Sequence, residues 1–249
     1  DDVESRGLGD VYKRQIQLKL KNPVLYFYLS CMEGLKMKKQ NFTFFQYVWI
    51  FVAGCYGGFL VETVWCLIKN GYIESRKSLV LGHLSVAYGM GAVLLTLILV
   101  HFQQSKLWKI FLVAFLSGTV TEYICSLGQE ICFGSVAWDY SKLPLNINGR
   151  VCLLYSLFWG VLGVFWVKAV IPLLQKVFGS VKLPHERLLV SAFIVFFVFD
   201  CVLSASAALR MNERAQGVSP SNRIEQFLDT HYPDEKMNEI YANSKPVEK

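Results

Sequence analysis

Long apolar runs alternate with short polar connectors along most of this chain. Five such runs stand out, at about 44–68, 83–100, 110–133, 151–171 and 188–209. A helix rising 1.5 Å per residue needs about 20 residues to cross roughly 30 Å of hydrocarbon, so each run has the length of a membrane span. Runs of this kind are lipid-facing helices because every backbone polar group must be satisfied within the segment. The pattern predicts an all-α, polytopic transmembrane bundle of about five spans over residues 37–209, followed by a polar C-terminal tail at 210–249. Pro172 marks the end of the fourth run, as a poor helix continuer. The connector from Leu173 to Arg187 is amphipathic and suits the membrane interface. In the tail, Ser221-Asn222 precede Ile224, Phe227 and Leu228 at helical spacing, which predicts one short helix in an otherwise partly ordered segment.

Residues 1–36 do not fit this frame. There is no Met at position 1, and Ser5 to Gln15 (SRGLGDVYKRQ) has the look of translated adapter sequence. This leader is expected to be non-native or disordered, with Met32 or Met37 as the natural start.

Composition sharpens the class. The 249 residues are 53% hydrophobic and 18% charged, below the roughly 25% charged of soluble domains, and mean hydropathy is positive. The net charge of +6 sits at the ends and in connectors, which suits juxtamembrane anchoring and offers no basic patch for nucleic acid. Lysine and arginine divide almost evenly between the two sides, leaving orientation open, but parity puts the Arg76 connector and the loop around Trp138 on one side. Six cysteines lie in or beside apolar runs with no CxxC spacing, and they read as small packing residues rather than disulfides or metal ligands.

Carboxylates inside the runs are the candidate chemistry. Glu62 and Glu122 each follow a glycine by four positions, as Gly58-x-x-x-Glu62 and Gly118-x-x-x-Glu122. GFLVETVWC (Gly58 to Cys66) echoes GTVTEYICS (Gly118 to Ser126) at an offset of 60, and Gly82/Tyr88 echoes Gly149/Tyr155 at an offset of 67. A tandem two-helix duplication would produce both echoes and parallel repeats. A central carboxylate costs about 2.5–3.5 kcal/mol on insertion scales, so both acids must face protein or water. One use is to hold a proton or cation in a central polar cavity; the other is to bond a neighbouring helix and fix the bundle. Glu130 lies nearer a span end, and Arg76, Tyr88, Trp138, Asp139, Tyr140 and Arg150 complete the candidate constellation. His83 reads as a boundary residue. Asp200 is expected to pair with Lys168 or a loop arginine, or to hold the fifth span in place. No phosphate-binding loop, Gly-x-Ser-x-Gly elbow, HExxH helix or Asp-rich magnesium motif occurs, so the chain is not expected to be an enzyme or to carry a cofactor or metal.

Gly58-x-x-x-Glu62, the Arg76–Gly82 connector with Tyr88-Gly89, Gly118-x-x-x-Glu122, Trp138-Asp139-Tyr140-Ser141, Asn148-Gly149-Arg150 and Tyr232-Pro233-Asp234-Glu235 together resemble a bacterial membrane family, the ABC-transporter permeases of type IV (CmpB-like). The resemblance spans about Phe44 to Lys245. It implies a transport subunit in the cytoplasmic (inner) membrane that works with a separate ATPase, and it implies no substrate. The Glu-Ala-Ala coupling signature of importers is absent, and five spans are few for a permease unless it forms a homodimer. Two other readings remain: a non-transporting assembly subunit that docks a partner through the Trp138–Tyr140 loop, and, third, a lipid-modifying membrane enzyme.

Overall fold

A capping box opens the first helix: Thr43 Oγ1 accepts from the Gln46 amide at 3.3 Å, and Gln46 Oε1 accepts from the Thr43 amide at 2.9 Å. The computed structural model describes residues 41–133, 135–181, 183–242 and 245–246, so the leader at 1–36 lies outside the described residues. From this cap α1 runs Phe44–Asn70, and Gly71 ends it in a left-handed conformation at φ 78°. The Asn70-Gly71 pair thus closes α1, and a connector follows without regular structure.

Helix α2 covers Val86–Leu99 and tightens into a 3₁₀ turn, Val100–Phe102. It begins later than the apolar run because residues 78–85 are used to fold the connector back: Ser78 N–H donates to Leu84 C=O and Ser85 N–H to Cys55 C=O. Helix α3 is Leu107–Phe133. Helix α4, Leu153–Phe165, passes through a π turn at Trp166–Val170 into α5, Ile171–Ser180. Pro172 therefore does not end the fourth span. The wide turn lets the Ile171 N–H reach Trp166 C=O, and the proline falls in the first turn of the following helical segment, where its missing N–H costs little. The helical stretch continues to Ser180.

Helix α6 runs Glu186–Ala215, beyond the expected end at 209. The tail then forms two helices rather than one: α7, Arg223–His231, capped by Asn222, and α8, Asp234–Ile240. Four short strands pair antiparallel, β1 (Ser135–Val136) with β4 (Lys245–Pro246) and β2 (Asn146–Ile147) with β3 (Val151–Cys152).

Four helical stretches, 44–70, 107–132, 153–180 and 186–215, are long and apolar enough to cross a membrane, and the shorter α2 stretch 86–102 packs among them. Only about a fifth of each long stretch is buried inside the chain. The outward side chains, such as Leu60, Val120, Ile124 and Val195, are apolar and exposed, as a lipid-facing surface requires. This is a multi-pass membrane protein built as an α-helical bundle.

Close glycine contacts join α1 to α2 and α3 to α4. A Cβ on Gly54 would come within 2.7 Å of the Ala92 methyl, and one on Gly58 would collide with the Tyr88 ring. In the second hairpin a Cβ on Gly118 would collide with Trp159, and one on Gly163 with Ala114. Equivalent positions are offset by 60 in the first helix of each hairpin (Gly58 to Gly118) and by 71 in the second (Tyr88 to Trp159, Gly89 to Gly160). The echo read in the sequence thus corresponds to two hairpins packed alike. Its second-helix register lies one turn beyond the offset of 67 read from Tyr88 and Tyr155. Large aromatic rings seated on glycine decide that register, because a packed helix pair interdigitates by volume.

Helix α6 packs on α1 through Phe51, Phe193 and Phe197 around buried Cys55, Leu79 and Leu84. The tail adds its own core of Val80, Ala207, Leu228, Tyr232, Met237 and Ile240.

Candidate acid–aromatic site between the two hairpins

Each hairpin places its acid one turn past the glycine notch, facing the polar edge of the ring seated there. Tyr88 O–H donates to Glu62 Oε1 at 2.5 Å. Trp159 Nε1–H donates to Glu122 Oε2 at 3.1 Å. The sequence spacing Gly-x-x-x-Glu thus has a physical basis: steps of four share a helix face, so the residue that admits the ring also aligns the acid with it. The two sites are neighbours. The Tyr88 hydroxyl lies in the field of both Glu62 and Glu122, and of the Tyr155 hydroxyl as well.

The connectors treat these acids differently. Residues 135–152 fold back over α3 and α4, ending in a short β-hairpin at 146–152 turned by Asn148 and Gly149, both at positive φ. Tyr140 from this loop donates to Glu122 Oε1 at 2.9 Å and stacks on Tyr155 with centroids 4.5 Å apart. Burial and then the Glu122 charge push the Tyr140 phenol above its ordinary pKa, so it stays a proton donor. Trp138 Nε1–H donates to Arg150 C=O at 2.9 Å, and Arg150 pairs with Glu130 at 2.6 Å beside the Tyr123 ring. Asp139 accepts from the Ser141 amide and hydroxyl at 2.8 and 2.9 Å, ordering the turn. A Cβ on Gly149 would approach Asp139 Oδ1 to 2.7 Å, so glycine is required there twice, by φ and by space.

Residues 71–85 are drawn elsewhere. Asp200, fully buried on α6, accepts from the Leu81 and Gly82 amides at 3.1 and 3.0 Å, and Ser204 Oγ accepts from the Val80 amide at 2.9 Å. Asp200 therefore pairs with connector backbone, not with Lys168 or an arginine, and this holds the fifth span in the bundle. Ser75 Oγ–H donates to Ile240 C=O of the tail at 2.9 Å. Arg76 pairs with Glu74 at 3.1 Å and donates to Cys66 Sγ at 3.4 Å, with Glu62 close enough to act on its charge. His83 packs edge-on to Phe59.

The structure therefore brings Glu62, Tyr88, Glu122 and Tyr140 together, and sets Trp138, Asp139, Glu130 and Arg150 in the loop that covers Glu122. Arg76 stands at the margin. Tyr155 and Trp159 complete the site and were not singled out from sequence as site residues. An alignment of Tyr88-Gly89-x-x-Ala92 on Trp159-Gly160-x-x-Gly163 carries the signal for Trp159. Two cavities outlined by the described residues are apolar and include neither acid: a crevice of about 10 Å³ between α2, α3 and Trp159, room for about one water, and an open groove of about 550 Å³ along Leu188–Phe199 of α6. Among the described residues no group of three or more His, Cys, Asp or Glu side chains is placed to hold a metal ion.

Apolar helical segments, two like-built hairpins and two hydrogen-bonded carboxylates within them define a polytopic helical membrane protein. Residues 49–205 match the family described as "Putative ABC-transporter type IV" (ABC_trans_CmpB), and the chain belongs to that family. No curated protein and no solved structure matches it significantly.

Proposed function

We propose that this chain is the permease-like membrane component of a transport system in the cytoplasmic membrane, with Glu62 and Glu122 handling a proton or cation within the bundle. The observation that carries this reading is the Tyr88 hydroxyl, which bonds one repeat's acid and lies in the field of the other's. Two intramembrane carboxylates at matching hairpin positions, each hydrogen-bonded to an aromatic side chain, are costly to keep for packing alone. Membership of an ABC-transporter family supports a separate ATPase partner, and five spans support a homodimer. The chain itself is read as carrying out no chemical conversion.

The test uses Glu62→Gln and Glu122→Gln, which keep shape and hydrogen bonding but cannot carry charge. The purified protein, with any ATPase that co-purifies, is reconstituted in vesicles holding a pH-sensitive dye under an imposed membrane potential. Flux in the wild type and its loss in either variant, at unchanged expression, supports the role; normal flux in both removes it.

One observation favours the second reading, a docking or assembly subunit. At the tip of the Trp138–Arg150 loop Leu145 and Ile147 are exposed, while Trp138, Asp139 and Tyr140 are occupied within the hairpin. A partner that co-purifies with the wild type and is lost on Leu145→Ser/Ile147→Ser, with no flux in any preparation, would favour it.

A further inference from the structure

The two hairpins are built alike up to their acids, so any difference between the acids comes from the segments that follow. The first connector is held away from its own hairpin: its amides at Val80, Leu81 and Gly82 are fixed on Ser204 and Asp200 of α6, and Ser75 on the tail. Its Arg76, paired with Glu74, acts on Glu62 by charge, with no hydrogen bond to it among the described contacts. The second folds onto its own hairpin and closes over Glu122. Tyr140 bonds the carboxylate from the loop while Trp159 bonds it from α4, and both contacts are partly buried. Glu62, half-buried like Glu122, accepts one hydrogen bond in the described contacts, from Tyr88, which is 42% exposed.

We propose that the repeat-related acids are held in opposite states of access, Glu62 open to water from the loop side and Glu122 sealed by the Trp138–Arg150 loop with Tyr140 as its latch. Water is the medium assigned to Glu62 because a half-buried carboxylate bonded to an exposed phenol is too costly to leave in hydrocarbon. Tyr140 is a positioning residue: it acts on access to Glu122 through one hydrogen bond, with its ring held on Tyr155 independently of that bond. Trp138, tied to the Arg150 carbonyl, and Arg150, tied to Glu130, anchor the same loop at its far end. The inference deepens the proposed role of the two acids, but access is measurable without transport.

Carboxyl footprinting reads it directly. The full chain in lipid nanodiscs is treated with a water-soluble carbodiimide and glycine ethyl ester at one pH, and modification of each acid is followed by mass spectrometry. Glu62 is expected to react and Glu122 to be protected, with exposed Glu235 as the internal standard. Tyr140→Phe, which keeps the stacked ring, should speed modification of Glu122 about three- to tenfold, the share of an opening equilibrium that one hydrogen bond controls. It should leave Glu62 unchanged. Trp138→Phe, at the loop's other tether, should act in the same direction. Equal rates at the two acids in the wild type, or a Glu62 that does not react because lipid or a second copy covers it, overturns the proposal. An unchanged Glu122 rate in both variants, with the thermal transition preserved, overturns the latch. Protection as expected together with normal flux in the glutamine variants would instead refute the transport role and leave the access asymmetry standing.

Discussion

Glycine is required at Gly58 and Gly118 by what sits against them, not by backbone conformation. Each admits an aromatic ring from the next helix to the distance of a bare Cα, and each ring then meets an acid one turn on. Alanine at either position forces the Tyr88 or Trp159 ring out, and overpacking of this kind costs about 1–3 kcal/mol. Gly58→Ala and Gly118→Ala should lower the thermal transition of detergent-purified protein. Gly57→Ala, where nothing lies within 4 Å of an added Cβ, should be neutral or gain up to about 1 kcal/mol from helix propensity. A Gly57 variant as damaging as Gly58→Ala would refute the notch. Sequence pattern alone was enough to pick out Glu62 and Glu122, because a shared Gly-x-x-x-Glu survives in both repeats. It could not place Trp159, since the matching Tyr155 lies one turn away and ring volume, not residue identity, sets where two helices cross.

Among the elements, α6 matters most for what it ties down. Asp200 is an acid within a long apolar helix whose hydrogen-bond partners are two connector amides and the Ser204 hydroxyl. Asp200→Ala leaves those amides unsatisfied at a buried site, a penalty of about 1–3 kcal/mol. Hydrogen exchange at Leu81 and Gly82 should rise in that variant, while Asp200→Asn, which keeps one acceptor oxygen, should rise less. Unchanged exchange in Asp200→Ala would mean that the connector holds its path without α6. The helix boundaries followed the apolar runs closely wherever polar connectors were short. They departed where tertiary contacts override composition. The π turn before Pro172 carries the fourth span on to Ser180, and the tail's acids extend α6 to Ala215.

For the whole molecule, the C-terminal residues form a cap rather than a loose tail. Arg210, nearly fully buried, pairs with Asp229 at 2.9 Å and with Glu213 at 2.9 Å, and Arg214 pairs with Asp229 at 2.7 Å and Asp234. Hydrogen bonds from Arg210 and then Arg214 hold the Asp229 carboxyl down at about 2. A depressed acid stabilises above its ordinary value and loses that contribution as pH falls through its folded value. Docking of α7 and α8 should therefore be intact above about pH 4 and fail progressively toward about pH 2. Hydrogen exchange across Arg223–Ile240 measured down that range checks it; Asp229→Asn should expose the cap already at neutral pH. A cap equally protected at pH 2 and pH 6 would exclude Asp229 as its tether.

The order of apolar runs determined by itself that the chain enters and re-enters a membrane as helices, because hydrocarbon leaves a backbone no other way to satisfy its polar groups. It also determined which acids lie within those helices. The tertiary structure decided their partners: the one-turn shift between repeats, the loop closed over Glu122 but not Glu62, and the tail folded onto α6. These depend on side-chain volumes and on donors and acceptors far apart in the chain, which meet only once the helices have packed.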